Sequence, residues 1–238
     1  MYTMEGRIRY SECGEDNRLK IASIINYFQD CTTENSENMG VGHAYLREKK
    51  RAWILNSWQV CISRYPETGE LIEISTWATG VKGVFGPRDF CMKDAQGKTL
   101  VCAHTLWVYV DTETGRPTKP GEEEIRAYEV EEPLPLSSVS RKIMFPEDAA
   151  IVDTFPVHKY HIDTNHHVNN SKYVELACEV LSENFHVTSL RVEYKKAAVQ
   201  GDVLVLKCAK EEDRIVTGLC DEEGNPYAIV EFVGENRE

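Results

Sequence analysis

No stretch of the 238-residue sequence is an apolar run long enough to cross a bilayer, which takes about 20 residues as a helix. The opening residues, MYTMEGRIRY, hold no apolar signal-peptide core. With neither a span nor a secretory signal, the sequence reads as cytoplasmic. Positive charge is scarce: 27 Lys and Arg stand against 39 Asp and Glu, a formal net charge of −12. That balance argues against general nucleic-acid binding. Eight cysteines are present (Cys13, Cys31, Cys61, Cys91, Cys102, Cys178, Cys208 and Cys220), and no two are spaced C-x-x-C. Neither a structural zinc site nor a thioredoxin-like pair is therefore supported, and no metal or cofactor is expected. Several of these cysteines lie in apolar strand-like runs and read as buried, reduced thiols. A chain of this length without a signal peptide does not depend on disulfides.

What is there is an ordinary globular composition, 42% hydrophobic and 28% charged, long enough for two small cores. One plan occurs twice. Met4 to Glu12 reads as a strand. A helix follows from Ile21 to Met39, with Ile21, Ile24, Ile25 and Phe28 on its apolar face and Gly40 and Gly42 as its stop. After a short helix or turn at His43 to Lys50, strands are predicted at Trp53–Arg64, Leu71–Thr79, Arg88–Lys93 and Thr99–Val110, with a hairpin turn at Gln96-Gly97. From Asp111 to about Ala150 the periodicity fails among prolines and glutamates, which reads as a linker over the surface. The second copy has a strand at Thr154–Ile162, a helix at Asn169–Glu183, and strands at Ser189–Ala198, Val203–Lys210, Arg214–Cys220 and Tyr227–Val233. The expected class is α+β: two units, each an antiparallel sheet with one face covered by a central helix. The boundaries are a first domain over 1–130, a linker over 131–150 and a second domain over 151–238.

The chemistry concentrates in HIDTNHHVNNSKY, residues 161–173. Asn169 or Asn170 suits a helix N-cap. Asp163, Asn165 and His167 then sit in the loop entering a helix N-terminus, where free N–H groups and the positive dipole end favour a carboxylate or developing oxyanion. A carboxylate, an amide and an imidazole are the residue types of an acid/base site. They also suit a plain capped loop, and spacing alone names no reaction. His161 and His166 read as bystanders, and Asn170 and Tyr173 as structural. The first copy has no counterpart: its strand exits through Glu12-Cys13-Gly14-Glu15-Asp16-Asn17, without a histidine.

Asp163-x-Asn165-x-His167-Val168-Asn169-Asn170-x-Lys172-Tyr173 resembles the signature of acyl-acyl carrier protein thioesterases, double-hotdog enzymes of fatty acid synthesis in plants and bacteria. Arg51-Ala52-Trp53-Ile54, Val60 to Pro66, Trp77 in ISTW and Val192-Glu193-Tyr194-Lys195 resemble family segments in the same order, so the likeness covers nearly the whole chain. It implies two tandem hotdog units, hydrolysis of a fatty acyl thioester on acyl carrier protein, and a monomer or homodimer without membrane or nucleic-acid partners. It also implies a further carboxylate at Glu193. Plant members of the family carry a cysteine shortly after this strand; Ala198, or Ala197 if the register slips, stands there instead, so a cysteine nucleophile is not expected.

On this reading Asp163 attacks the thioester or activates water, Asn165 orients it or holds the oxyanion, His167 shuttles a proton, and Glu193 supplies the second carboxylate. The acyl tail is expected in the first half, against Ile24, Ile25, Phe28 and Trp58, as the resemblance implies. Acyl carrier protein is itself acidic, so docking calls for a basic patch; Lys49-Lys50-Arg51, Arg141-Lys142 and Lys195-Lys196 are the candidates. The alternatives are a hotdog acyl-CoA thioesterase, an enoyl-thioester hydratase and a non-catalytic acyl-thioester binder. The Asp163-to-His167 spacing is one residue shorter than the usual hydratase arrangement.

Overall fold

The computed structural model describes residues 1–137 and 139–236. Ser138, in the expected linker, and Arg237 and Glu238, at the end of the second expected domain, lie outside the described residues. The chain divides into two compact units: Met1–Asn56 with Ile62–Ser138, and Ser57–Cys61 with Val139–Glu238.

The first unit comprises β1 (Tyr2–Arg7), α1 (Ile21–Asn38), α2 (His43–Glu48), most of β2 (Arg51–Ile62), β3 (Leu71–Ala78), β4 (Phe85–Asp94), β5 (Thr99–Asp111) and α3 (Glu122–Ala127). β1 pairs with β3, β3 with β4, and β4 with β5, all antiparallel. The long helix α1 packs on β1 and β3. Its buried residues include Ile21, Ile24, Ile25, Phe28 and Cys31, the stripe that a 3.6-residue period turns to one side. Phe28 meets Phe90 of β4 with ring centroids 5.0 Å apart. At the β4–β5 hairpin Gly97 takes φ +80°, as the Gln96-Gly97 turn requires.

The second unit comprises β6 (Ala150–Pro156), α4 (Asn170–Ala177), β7 (Phe185–Tyr194), β8 (Val203–Lys210), β9 (Arg214–Cys220) and β10 (Pro226–Asn236). The antiparallel pairs are β6–β8, β8–β9, β9–β10 and β10–β7. Ser57–Cys61 of β2 pairs with β7 on its other edge, placing Trp58 opposite Val192. α4 packs on β9 and β10.

Several boundaries differ from the sequence expectation, each for a local reason. β1 stops at Arg7 rather than Glu12, because Tyr10–Glu12 turns as a 3₁₀ helix in which the Glu12 carboxylate accepts from the Arg9 N–H at 2.8 Å. β6 stops at Pro156 rather than Ile162; proline has no N–H to continue the ladder, and Lys159–His161 forms a second 3₁₀ turn. α4 ends at Ala177 and passes into a 3₁₀ turn at Cys178–Val180, short of Glu183. There Lys210 Nζ donates to the Val180 carbonyl at 2.6 Å, supplying a cation where the free carbonyls lie. β7 runs Phe185–Tyr194, starting and ending four residues before the expected Ser189–Ala198.

Among the described residues, the stretch expected as a linker is attached at several points. Its glutamate run starts α3, whose first turn carries Glu122, Glu123 and Glu124 at the dipole end that favours them. Beyond it, Glu131 N–H donates to the Ala78 carbonyl, Trp77 Nε1 to the Glu132 carbonyl and Leu134 N–H to Asp89. In the second unit Ile143 is buried with Val216 and Ile229, and the Phe145 ring fills the space that a side chain at Gly218 would need.

Candidate functional site

The entry to α4 is a seven-residue loop closed by a bridge between Ile162 and Val168. Asp163 N–H donates to the His167 carbonyl at 2.8 Å, His166 N–H to the Asp163 carbonyl at 3.1 Å, and Asn169 N–H to the His161 carbonyl at 2.8 Å. His166 makes the turn in the left-handed region at φ +63°. The loop entering α1 has the same construction. Cys13 bridges Leu19, Asn17 takes φ +65°, Gly14 N–H donates to the Arg18 carbonyl at 2.9 Å, and Lys20 N–H donates to the Glu12 carbonyl at 3.0 Å. The shared geometry aligns the two copies residue by residue. Gly14 stands in the place of Asp163, Asp16 in that of Asn165, and Arg18 in that of His167.

Within the second loop, three of the predicted residues come together. The Asp163 carboxylate accepts at Oδ1 from the backbone N–H of Asn165 at 2.8 Å and of His167 at 3.3 Å, and the Asn165 amide approaches Oδ2 at 3.5 Å. Asp163 is half-buried, while Asn165 and His167 are exposed. A carboxylate fixed by backbone donors, with the Asn165 amide beside it and the exposed His167 on the same loop, has the parts for acid/base or nucleophilic work on a ligand.

The loop is held from below. Asn169 is the N-cap, its side-chain oxygen accepting from Ser171 N–H and Oγ, both at 2.9 Å. Val168 N–H donates to the Ala198 carbonyl at 2.9 Å, and Ala198 N–H donates to the buried Tyr173 hydroxyl at 2.8 Å. Tyr194 Oη donates to the Asn170 carbonyl at 3.0 Å, with its ring 5.9 Å from that of Tyr173. Burial pushes both phenols above their ordinary pKa, so they serve as neutral hydrogen-bonding groups. Ala198, one of the two positions where the resemblance would put the family's cysteine, is pinned against the loop with no sulfur to offer.

Glu193, on β7, is hydrogen-bonded outside this loop. Successive strand residues face opposite sides of a sheet; Tyr194 reaches α4, so Glu193 turns away from it. Its Oε2 accepts from Ile143 N–H at 2.9 Å and its Oε1 is paired with Lys195. This carboxylate fastens the 139–145 segment to β7. Beside it Arg191 donates to the Ser140 and Lys142 carbonyls and pairs with the buried Glu231.

His161, set aside in the sequence reading, is 5% exposed and structural. Its Nδ1 accepts from His158 N–H at 3.1 Å. Burial, reinforced by nearby Lys172, lowers its pKa below the ordinary histidine value. It fills the position that Glu12 fills in the first copy, and aligning the two turns would have revealed the role.

Ile24, Ile25 and Phe28 are fully buried on α1. Trp58 is also buried, but within the second unit, opposite Val192. The expected basic clusters are largely neutralised: Lys49 pairs with Glu123, Lys50 with Glu113, Arg51 with Asp111, Lys195 with Glu193 and Lys196 with Asp221. Among the described residues no group of three or more His, Cys, Asp or Glu is arranged to hold a metal, and no helix is long and apolar enough to cross a membrane.

Known proteins share this architecture. The acyl-ACP thioesterase from Bacteroides thetaiotaomicron superposes with a TM-score of 0.90 at 21% identity, covering 98% of this chain and 97% of that one. The 12:0-ACP thioesterase from Umbellularia californica superposes at 0.87, with 21% identity over 99% and 97% of the two chains. These likenesses establish the tandem hotdog fold. In sequence, the chloroplastic palmitoyl-acyl carrier protein thioesterase of Arabidopsis thaliana is 29% identical over 216 residues, which is 83% of this chain and 52% of that protein. A chloroplastic dodecanoyl acyl-carrier-protein hydrolase of Umbellularia californica is 28% identical over 83% of this chain and 56% of its own length. The chain spans about half the length of the curated relatives it matches. The acyl-ACP thioesterase N-terminal domain model matches residues 1–128 and the C-terminal domain model residues 145–231, so the chain belongs to the acyl-ACP thioesterase family.

Proposed function

We propose that this protein hydrolyses fatty acyl thioesters carried on acyl carrier protein, releasing the free acid and the carrier thiol. The observation that carries the proposal is the Asp163 carboxylate, held at Oδ1 by the backbone N–H groups of Asn165 and His167 beneath two exposed side chains. That constellation stands in a chain of this family.

Oδ1 is fixed by the backbone, so Oδ2 is the oxygen offered to substrate. It either attacks the thioester carbonyl to form an acyl anhydride or takes a proton from an attacking water. The Asn165 amide, already beside Oδ2, is placed to donate to the carbonyl oxygen as it gains charge. His167, exposed on the same loop, supplies the proton that the departing thiolate requires. Glu193 has no step in this scheme. The apolar face of α1 at Ile24, Ile25 and Phe28 is the proposed lining for the acyl tail; complete burial of these three supports an apolar environment.

The test is to incubate purified protein with acyl- and enoyl-thioesters of carrier protein and of coenzyme A, following free thiol and organic products. Thiol release from acyl carrier substrates, lost in a folded Asp163→Ala variant, is expected. A hydroxyacyl product would identify a hydratase, faster release from coenzyme A a different carrier preference, and binding without turnover a non-catalytic role.

A further inference from the structure

On β4 and β5 of the first unit, Cys91 lies directly opposite Cys102 in the antiparallel register. Directly opposed residues project to the same face of a sheet, with Cβ atoms about 4.5–5.5 Å apart. A disulfide needs Cβ atoms about 3.5–4.5 Å apart and Cα atoms about 4.4–6.8 Å apart. The pair is thus within about an ångström of bonding distance, although both residues are thiols in this structure. The ladder has a register shift immediately beyond, between Met92 and Lys93; a bulge of that kind lets one strand bend and twist locally. Cys91 Sγ now lies 3.7 Å from Thr99 Oγ1, so a side-chain rotation toward Cys102 gives up a weak contact.

The next pair on the same face is Asp89 opposite His104. Their Oδ1 and Nδ1 atoms are 2.6 Å apart, and Asp89 is completely buried. Cys102 is half-buried and Cys91 is buried, which makes Cys102 the sulfur that a small reagent meets first.

We propose that Cys91 and Cys102 form a reversible thiol–disulfide site, oxidised by a low-molecular-weight disulfide. The Cys102 thiolate attacks one sulfur of the small disulfide, forming a mixed disulfide and expelling one small thiolate. Cys91, deprotonated, then attacks the Cys102 sulfur, forming the cross-strand bond and expelling the second. Two electrons pass from the cysteine pair to the small disulfide, which leaves as two thiols carrying the two protons. The closed loop is the short β4–β5 hairpin, so the bond adds less to folding stability than one closing a long loop would. Closing it draws the strands together, and a strained disulfide is the more readily reduced kind.

The experiment equilibrates the full chain with reduced and oxidised glutathione over a range of ratios. It is then quenched with an alkylating reagent and digested without reductant. With trypsin, the expected result is one cross-link joining the peptide of residues 89–93 to that of residues 99–126, reversed by excess reduced glutathione. Cys91→Ser should trap the glutathione adduct on Cys102 instead. The proposal is overturned if Cys91 and Cys102 both stay alkylatable in oxidised glutathione while circular dichroism reports a folded chain. It is equally overturned if Cys102 links to another cysteine, or if the glutathione adduct accumulates on wild-type Cys102 without resolving.

Discussion

Asp163 and Glu193 are both acidic residues inside family-like motifs, and only their surroundings separate them. Asp163 is bound by two backbone donors in a loop open to solvent, whereas Glu193 is committed to Ile143 N–H and Lys195 on the far side of a strand. Asp163→Ala and His167→Ala should each lower turnover by about 10²–10⁴-fold with unchanged melting. Glu193→Gln should leave turnover within a few-fold of wild type and loosen the 139–145 segment, visible as faster amide exchange at Ile143. Loss of turnover comparable to Asp163→Ala would restore Glu193 to the reaction. The sequence disclosed the loop chemistry because the Asp, Asn and His fall in one contiguous stretch. It did not disclose the partners of Glu193, because a resemblance carries no face; the alternation from Tyr194, which reaches α4, would have supplied one. His161 gives a pH signature. Its folded pKa lies below the unfolded value of about 6.5, so its contribution to stability is complete above that pH. The contribution is lost as pH falls from there through the folded pKa, because the unfolded chain takes up the proton first. The melting temperature of wild type should therefore drop between neutral pH and pH about 5 more steeply than that of His161→Gln, measured by calorimetry in matched buffers. Equal slopes would remove His161 from the account.

At the scale of elements, the two copies share an entry loop and differ in their helices. α1 has 18 residues and α4 has eight before it tightens. The longer helix offers the larger buried stripe, and its period was plain in the sequence at Ile21, Ile24, Ile25 and Phe28. The strands were legible for the same reason: alternation in Val203–Lys210 and Arg214–Cys220 matches the observed bounds. The 111–150 region was not legible, because its order comes from backbone donors and lone side chains such as Ile143 and Phe145, which leave no periodicity. If the stripe on α1 receives the acyl tail, its volume sets chain length. Phe28→Ala should cost about 3–5 kcal/mol of stability, and in the fraction that stays folded it should shift the released acids toward longer chains. Ile24→Phe should shift them toward shorter ones, each buried methylene being worth about 0.8 kcal/mol. Product profiling by gas chromatography, with thermal melts as the control for folding, reads both. Folded variants that keep the parental profile would place the tail elsewhere.

For the whole molecule, charge sets the terms on which the proposed acidic carrier would be met. The formal charge is −12, and Lys49, Lys50, Arg51, Lys195 and Lys196 each already face a carboxylate of the same chain. Beyond about 10 Å, the screening length at 0.1 M salt, such pairs largely cancel and the net negative field remains. Steering by that field opposes the approach of an acidic partner. Raising ionic strength from about 0.01 M to about 0.15 M shortens the screening length from about 30 Å to about 8 Å, which should increase kcat/KM for acyl carrier protein substrates severalfold. The value of kcat should be unchanged, since chemistry at Asp163 lies within one loop. The same acyl group on an uncharged pantetheine analogue should show no salt dependence, which separates encounter from catalysis. Steady-state kinetics on both substrates across the salt series would decide it. A steep fall of kcat/KM with salt for the carrier substrate alone would mean that the carrier displaces these internal carboxylates and binds the lysines directly.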